Sequence, residues 1–566
     1  MNQSMRRTIF AIGLLAVSLA LVWINTSSQA QSDPSPVLIG GSLFDQLDQP
    51  VKNAQVTLMA EDRQTMLAEA NTQTTGNFLL DAPEEIPPAL YLVIDRPHFK
   101  SLELPLASEQ IMALRSGESV ILPDLVLERQ ISIAFWISTL VFIAVLILIA
   151  TGKLHITLAS LLGASFLYLV SYLGSPITEN LFIFSFQQSL TYVDWNVIFL
   201  IMGMMIVIAV VENTGMFQWL AFTAYRVSRG KMFILLPILM LITGVVSAFL
   251  DNVTTMLLMT PISVQIAISL GLNPLVLLIP EVLASNVIGI STLIGTPTNI
   301  LIGSYAKLSF NDFLTNLTPG VLIAFIGLVL FSFLVYRKQL SGPQELSEIL
   351  LEKLQEQAQI TEPVHLKKAG VVGLVMLLLF IFGEYIHLVP AVTALIGATA
   401  LMLWIRPDIE EMIEAVDWTT LVFFITLFIV VGAIQEVGLI SVIASAIGKL
   451  VGDNLLAAIL VVIWLSAFLS TIIANIPFTA AMLPVVGYLT ATIPGAESMV
   501  LFYCLSVGAA MGGNGSLISA SANMVTAGIA ERAGYPITYV YFLKKGAPAM
   551  LITVSLASIW LLIKFL

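Results

Sequence analysis

The chain has 566 residues, of which 58% are hydrophobic and only 11% are charged, and its formal net charge is −12. A soluble domain carries about a quarter charged residues, so this composition excludes an ordinary soluble protein, and the acidic balance argues against a nucleic-acid partner, which needs a basic face. The single cysteine, Cys504, excludes an intrachain disulfide, and four scattered histidines give no metal-ligand spacing.

The N-terminus has the parts of a secretory signal. Arg6 and Arg7 precede an apolar stretch at 9–24, and small residues precede a cleavage point after Ala30. The sequence therefore predicts a signal peptide at 1–30, with an uncleaved anchor helix as the alternative because the apolar run is long. Either segment would export the residues that follow it.

Residues 31–128 differ in kind from the rest of the chain. The stretch "LIGGSLFDQLDQPVKNAQVTLMAED" alternates apolar and polar residues around turn residues, and "TQTTGNFLLD" and "ALYLVID" add further short strands. This pattern resembles the prealbumin-like or carboxypeptidase-regulatory β-sandwich, which implies a small exported all-β domain. No catalytic constellation is present, and both a spacer or stability module and a partner- or ligand-binding module remain open.

From residue 131 onward the pattern is helical and apolar, which predicts a polytopic all-α membrane protein. Two further segments, 233–270 and 456–493, are interrupted in the middle and are predicted to form re-entrant hairpins. The polar residues 337–368 divide the spans into two sets. The candidate spans, about ten, are 131–150, 154–173, 196–213, 276–303 and 319–336, then 369–387, 389–405, 419–437, 499–527 and 546–565.

Loop charge predicts the orientation. With the β domain outside, most basic loop residues fall on the cytoplasmic side, as membrane proteins prefer, and Lys449 is the exception. This arrangement predicts a multi-pass protein of the plasma or inner cell membrane with 337–368 as a cytoplasmic linker. The residues on the predicted cytoplasmic side are Arg226, Arg229, Lys231, Arg337, Lys338, Lys367, Lys368, Arg406, Lys544 and Lys545.

The two sets of spans repeat each other. "VDWNVIFLIMGMMIVIAVVENTG" from Val193 matches "VDWTTLVFFITLFIVVGAIQEVG" from Val416, an offset of 416 − 193 = 223. By the span count these segments start on opposite sides, so 129–336 and 369–566 are predicted to be inverted repeats, as in secondary transporters. The same offset relates Asn252 to Asn475, Met259 to Met482 and Pro261 to Pro484, and an offset of 224 relates Asn299 to Asn523.

The repeat also locates a candidate site. "AFLDNVTT" and "TIIANIPF" are the predicted hairpin tips, and "IGISTLIGTPTNILIG" and "GGNGSLISASANMVTAG" are two predicted broken helices. Interrupted segments at matching positions point to a midplane site, because exposed backbone at that depth must line protein or a cavity. The candidate ion- or substrate-binding residues are Asp251, Asn252, Thr254, Thr255, Thr296, Thr298, Asn299, Asn475, Asn514, Ser516, Ser519, Ser521 and Asn523.

Asp251 has two interpretations. It could cap the returning half-helix by accepting backbone N–H bonds. Alternatively, it could bind Na⁺ together with Asn252 and release it to H⁺, because burial disfavours the charged carboxylate and a bound cation stabilises it. Glu281 is a candidate proton relay. No other cofactor is predicted beyond such a coupling ion.

The four site stretches resemble the arsenite permease, sodium–proton antiporter (NhaD type) and melanosomal P-protein group of the ion transporter superfamily, with its citrate-transporter-like domain. Sodium–dicarboxylate symporters are a more distant resemblance. The resemblance implies an elevator-like carrier and a homodimer. Two positions depart from the P-protein pattern by lacking a carboxylate: the second tip reads Ala474-Asn475, and a motif that is usually Gly-Asp-Pro-Pro-Asn reads GTPTN from Gly295.

The leading hypothesis is therefore a secondary active Na⁺/H⁺ antiporter. An anion, arsenite or dicarboxylate permease is the alternative within the superfamily, although none of the four stretches contains Arg or Lys. A membrane sensor that reads a ligand through the exported β domain is the alternative of another class. An enzyme is not predicted, because no hydrolase, zinc-protease or nucleotide motif is present, and an ATPase partner subunit remains open.

Overall fold

The computed structural model describes residues 37–229, 231–340 and 359–566. The predicted signal segment 1–30 and most of the predicted linker lie outside these residues. The described chain divides into two compact units between Gln130 and Ile131, two residues beyond the predicted end of the β domain.

The first unit is a β-sandwich with one short helix, α1 (Ser108–Arg115). One sheet has the order β4-β1-β7 with β8 also paired to β1, and the other has the order β3-β2-β5-β6. Alternate residues such as Val56, Leu80 and Leu92 point into a shared core. The strands are β1 (Leu38–Asp45), β2 (Gln55–Ala60), β3 (Met66–Asn71), β4 (Asn77–Asp81), β5 (Leu90–Asp95), β6 (Leu102–Pro105), β7 (Val120–Ile121) and β8 (Leu125–Leu127).

Polar residues stabilise the turns that connect β1 to β2. Asp48 and Asn53 adopt the left-handed backbone region, with φ of 56° and 55°, which Asp and Asn tolerate better than most residues. The Asp45 carboxylate accepts from the backbone N–H groups of Leu47 and Gln49 and from Arg129. The predicted all-β fold is confirmed, including the turns placed between β1 and β2.

The second unit is helical. The first half of this unit contains α2 (Ile133–Thr151), α3 (Ile156–Gly174), α4 (Phe186–Leu190), α5 (Trp195–Glu212), α6 (Met216–Ser228), α7 (Met232–Phe249), α8 (Asn252–Ser269), α9 (Leu275–Ile288), α10 (Pro297–Ala306), α11 (Phe310–Asn316) and α12 (Thr318–Leu340).

The second half contains α13 (Pro363–Phe382), α14 (Pro390–Ile405), α15 (Ile409–Glu414), α16 (Trp418–Glu436), α17 (Leu439–Val451), α18 (Leu455–Ile472), α19 (Asn475–Thr492), α20 (Val500–Gly512), α21 (Ser521–Arg532) and α22 (Tyr539–Phe565).

The helix boundaries reproduce the repeat. Both arms of the first hairpin, α7 and α8, begin and end 223 residues before those of the second hairpin, α18 and α19 (455 − 232 = 223). The packing is reciprocal as well. Helix α3 packs on α16 while α14 packs on α5, and α10 packs on α19 while α21 packs on α8. Equivalent helices of the two halves therefore make equivalent contacts with the opposite half.

The predicted broken helices are confirmed. Helix α9 passes into a short 3₁₀ turn at Gly289–Ser291 and then an irregular stretch before α10 begins at Pro297. Helix α20 ends at Gly512, and α21 begins only at Ser521. We refer to 289–296 and 513–520 as the first and second unwound segments.

Ten of the described helices are long and apolar enough to cross a membrane, but they are not the ten that the sequence predicted. They include both arms of the first hairpin and the first arm of the second, each with 18 residues. Such a helix is about 27 Å long, close to the roughly 30 Å hydrocarbon core of a bilayer. The arms lie within one residue of the predicted segments 233–270 and 456–493, and their re-entrance stays a prediction.

Two amphipathic helices, α6 and α17, were not predicted. Helix α6 buries Phe217, Ala221 and Ser228, which share one face, and α17 buries the residues 223 positions later, Ile440, Ala444 and Val451. The spacing of these buried residues is typical of an amphipathic helix and could have predicted both helices. They were not predicted because neither contains the long apolar run by which the spans were recognised.

Candidate functional site

The first hairpin tip is built around Asp251. Its Oδ1 accepts hydrogen bonds from the backbone N–H groups of Val253 (2.9 Å) and Thr254 (3.1 Å), and its Oδ2 accepts from the Thr254 hydroxyl. Asp251 is therefore the N-cap of α8, and the capping interpretation describes its contacts in this conformation. The half-buried side chain also lines a cavity, so capping and ion binding are compatible roles.

The second tip is the same structure without the charge. Ala474 occupies the N-cap position of α19 and offers no side-chain acceptor. The backbone N–H of Asn475 instead donates to the Ser519 carbonyl oxygen at 3.0 Å, which ties the tip to the second unwound segment. The buried side-chain amide of Asn475 makes no hydrogen bond to any described residue, so it is available to a ligand or water.

Four asparagines meet between the hairpins, and we call them the amide cluster: Asn252, Asn286, Asn514 and Asn523. The Asn252 amide donates to Asn286 Oδ1 at 2.8 Å. The Asn286 amide in turn donates to Asn514 Oδ1 at 2.9 Å and to Asn523 Oδ1 at 3.1 Å. All four side chains are at least 95% buried. The cluster therefore joins the first tip to α9 and to both ends of the second unwound segment.

Matching asparagines hold the two unwound segments. The Asn299 amide donates to the carbonyl oxygens of Ile290 and Thr292 at 2.9 and 2.8 Å. The Asn523 amide donates to those of Gly513 and Ser516 at 2.8 and 3.0 Å. These bonds satisfy carbonyls that lost their helical partners, which buried backbone requires. The predicted role of these two residues as ligands gains no support from these contacts, which are structural.

Most of the predicted hydroxyls also bind backbone or each other. Ser516 donates to the Thr471 carbonyl oxygen at 2.6 Å, and Ser519 donates to that of Gly513 at 2.5 Å. The Thr296 and Thr298 hydroxyls lie 3.0 Å apart, at the start of α10. Among the described residues the buried Thr255 hydroxyl has no hydrogen-bond partner. These groups shape the unwound segments and leave few free donors.

A cavity of about 430 Å³ adjoins the first tip. Of the predicted site residues it is lined by Asp251, Thr254 and Ser521, whereas the others lie behind it in the protein interior. The start of α10, at Pro297, and the second tip, at Ile476, also reach its wall. The cavity therefore touches both hairpins and both broken helices.

Two more carboxylates line the same cavity. Glu212 at the end of α5 and Asp417 at the start of α16 are exposed, as is the neighbouring His155. None of the lining residues is Lys or Arg. Within the described residues no three His, Cys, Asp or Glu side chains are grouped to hold a metal ion.

Sequence reasoning did not propose Asn286 or Asp417 as site residues, and it favoured a solvated helix-end anchor for Glu212. Asn286 belongs to no motif that both halves share, because position 510 of the second half is alanine. Asp417 and Glu212 read as helix-end residues, and Asp417 indeed caps α16 by accepting from the Thr420 N–H. Their position on the cavity follows from the reciprocal packing of the halves, which local sequence does not encode.

A two-fold repeated helical membrane unit with paired hairpins and broken helices around a central cavity defines a membrane transporter. Residues 146–508 match the citrate transporter family model. The chain belongs to this family. It is a multi-pass membrane transporter and not an enzyme.

Named relatives agree with this assignment. The chain is 35% identical over 430 residues to an uncharacterized transporter of Mycobacterium tuberculosis, covering 76% of this chain and 98% of that protein. It is 31% identical over 514 residues to the P protein of Homo sapiens, covering 77% of this chain and 60% of that protein. An uncharacterized transporter of Synechocystis is 30% identical over 447 residues, covering 74% and 95%. The sensor hypothesis is therefore not retained.

Proposed function

We propose that the protein is a secondary active cation–proton antiporter in which Asp251 binds Na⁺ and H⁺ alternately. The observation that carries this proposal is the acidic cavity. Asp251 lies half-buried on its wall, Glu212 and Asp417 line it as well, and none of the lining residues is basic. Such a cavity concentrates cations and repels anions.

Competition at a single carboxylate supplies the exchange. Burial disfavours a charged carboxylate, and both H⁺ and a bound cation relieve that cost. The carrier would therefore change conformation only when Asp251 has bound either H⁺ or a cation. Moving the unoccupied, negatively charged carboxylate would cost too much free energy. One Na⁺ in one direction then obliges one H⁺ to move in the other.

An elevator-like movement fits the way in which the helices are joined. The amide cluster connects α8, α9, the second unwound segment and α21 through consecutive hydrogen bonds. We propose that these elements and α7, α18, α19 and α20 move as one body. Helices α3, α5, α14 and α16, which pack on each other across the repeat, would form the stationary scaffold. The half-buried Asp251 would then face each side of the membrane in turn.

An anion permease is the second candidate. The N-termini of α10 and α21 both reach the cavity, through Pro297 and Ser521, and helix N-termini attract anions. The family model is also described as a citrate transporter. However, a polyanion in this cavity would meet three carboxylates without a basic side chain among the lining residues, which costs several kcal/mol for like charges in close contact.

A flux assay decides between the candidates. The full chain is reconstituted into liposomes with an internal pH dye, and Na⁺, K⁺ or Li⁺ is added outside. We expect cation-dependent proton flux in the wild type, its loss in Asp251→Asn, and its retention in Glu384→Gln, which removes an exposed carboxylate outside the cavity. Wild-type vesicles that show no such flux but accumulate citrate, succinate or arsenite would support the permease instead.

A further inference from the structure

The cavity occupies one of two places that the repeat makes equivalent. It lies between the first hairpin and the proposed scaffold, since α8 and α5 both contribute to its wall. The counterparts of these two helices are α19 and α16, and they pack on each other. Helix α10, which packs on α19, contacts α5 as well. One side of the carrier is therefore open and the equivalent side is closed. In the orientation that loop charge predicts, the open side is the cytoplasmic one.

The closed side has the same wall as the open side, but the wall is covered. The offset of 223 residues relates the cavity-lining face of α5 to a face of α16. On α5, Met204 and Met205 line the cavity and are half-buried. Their counterparts on α16, Leu427 and Phe428, are only 1% and 9% exposed. The face of α16 is therefore covered in this conformation at the positions where the face of α5 is accessible.

Tyr192 contributes to this closure. A Cβ atom added at Gly432 would lie 2.5 Å from Cγ of the Tyr192 ring, so the ring packs directly on this glycine. The Tyr192 hydroxyl donates to the carboxylate of Glu436, which is 4% exposed. The counterparts of Tyr192 and Gly432 are Ala415 and Ala209, and both of these alanines line the open cavity. A tyrosine ring therefore stands on the closed side where the open side has a small side chain.

The closed side also carries two carboxylates at equivalent places. Asp417 caps α16 and lines the open cavity. Its counterpart Asp194 caps α5 by accepting from the Asn196 N–H at 3.1 Å, and it is half-buried. Glu436 lies one residue after the counterpart of Glu212, the other carboxylate at the mouth of the cavity. Both acidic features of the open side thus recur on the closed side.

We propose that the covered face of α16 is the wall of a second cavity, which opens to the opposite side of the membrane and admits cations past Asp194 and Glu436. This inference rests on the proposed antiport function. Inverted repeats allow it, because each half can adopt the contacts that the other half makes. In the second state α8 packs on α5, α19 separates from α16, and the Tyr192 side chain leaves Gly432 and releases Glu436. Tyr192 is then the gate of the second cavity.

Thiol labelling tests whether this cavity exists. The native Cys504 is completely buried, so a membrane-impermeant maleimide reports on cysteines that are introduced elsewhere. We expect the reagent to label Leu427→Cys and Val431→Cys in intact cells, and Met204→Cys in inverted membrane vesicles, which expose the cytoplasmic side. If one of the two α16 variants does not fold, the other still reports. Labelling of the α16 cysteines from the same side as Met204→Cys, or from neither side, overturns the proposal.

Substitution of Tyr192 tests the gate. In the Leu427→Cys background, Tyr192→Ala removes the contacts with Gly432 and Glu436 and should shift the population toward the second state. We expect labelling in intact cells to become several-fold faster. Tyr192→Phe keeps the ring on Gly432 and loses only the hydrogen bond, so its effect should be smaller. Labelling that Tyr192→Ala leaves unchanged would contradict the role of Tyr192.

The side from which Na⁺ is added tests the carboxylates. Asp194→Asn and Asp417→Asn both keep a capping side chain, because asparagine caps helices as well as aspartate does. We expect Asp194→Asn to weaken the apparent Na⁺ affinity several-fold from the outer side only, and Asp417→Asn to weaken it from the cytoplasmic side only. Equal effects of Asp194→Asn from both sides, or no effect, would contradict the proposal. If the wild type shows no cation-coupled flux, the antiport function itself fails, and the labelling result still decides whether the second cavity exists.

Discussion

The Asn252 side-chain amide donates to Asn286 Oδ1 at 2.8 Å and so joins the first hairpin tip to the helix that is broken behind it. The neighbouring Asp251 lines the cavity, whereas Asn252 is 5% exposed and faces the interior. Two consecutive residues therefore link the cavity to the amide cluster. A cation bound at Asp251 would therefore act directly on the hydrogen-bonded elements that we propose to move.

Capping and ion binding at Asp251 are separable by substitution. Asparagine is as good an N-cap as aspartate, whereas alanine costs about 1 kcal/mol. We expect Asp251→Asn to change the unfolding temperature in detergent little and Asp251→Ala to lower it. Both variants should lose cation-driven proton flux. An Asp251→Asn variant that folds normally and still exchanges protons would assign Asp251 to capping alone.

The amide cluster should be sensitive to loss of its central member. Asn286 is hydrogen-bonded to three other asparagines, and leaving buried amide groups without partners costs about 1–3 kcal/mol each. We expect Asn286→Ala to lower thermal stability and to reduce transport at least tenfold at equal protein level. Ala510→Ser, a small change at the counterpart position, is the control. Wild-type transport in Asn286→Ala would show that the cluster is dispensable.

The first unwound segment depends on a close backbone approach at Gly295. A Cβ atom there would lie 2.2 Å from the Gly289 carbonyl oxygen and 2.7 Å from that of Ser247, which the backbone cannot accommodate without moving. We expect Gly295→Ala to yield little folded protein by size-exclusion chromatography. Gly370→Ala, where no atom lies within 4 Å of the added group, should behave like the wild type. Equal yields of the two variants would contradict this account of the segment.

Glu212 and Asp417 should act through long-range attraction. Removing their charge with Glu212→Gln and Asp417→Asn leaves Asp251 intact, and asparagine preserves the cap that Asp417 provides for α16. We expect the apparent cation affinity to fall several-fold at low ionic strength. The difference should shrink near 0.1 M salt and above, where the screening length is about 10 Å. Unchanged affinity at low salt would mean that the two carboxylates do not guide cations.

The sequence was sufficient to predict the hairpins and broken helices because both halves carry the same motifs 223 or 224 residues apart. The offset that relates Asn252 to Asn475 also relates the starts of α8 and α19. What it could not provide was the pairing between halves. Asn286 meets Asn514 and Asn523, more than 220 residues away, and Asp417 shares a cavity with Asp251 because the helices pack across the repeat. The sequence also could not predict that Asn299 binds the carbonyl groups of the first unwound segment. An asparagine that binds a ligand and one that binds unwound backbone cannot be told apart in a sequence.

The most direct test of the central claim is the pH dependence of Na⁺ binding to purified protein, measured by isotope displacement in the wild type and in Asp251→Asn. If Na⁺ and H⁺ compete for one carboxylate, metal binding releases a proton, and the apparent Kd for Na⁺ rises about tenfold for each unit that the pH falls in the acidic range. We predict this dependence in the wild type and no specific binding in Asp251→Asn. Wild-type Na⁺ affinity that does not change with pH, or that survives in the variant, would contradict exchange at Asp251.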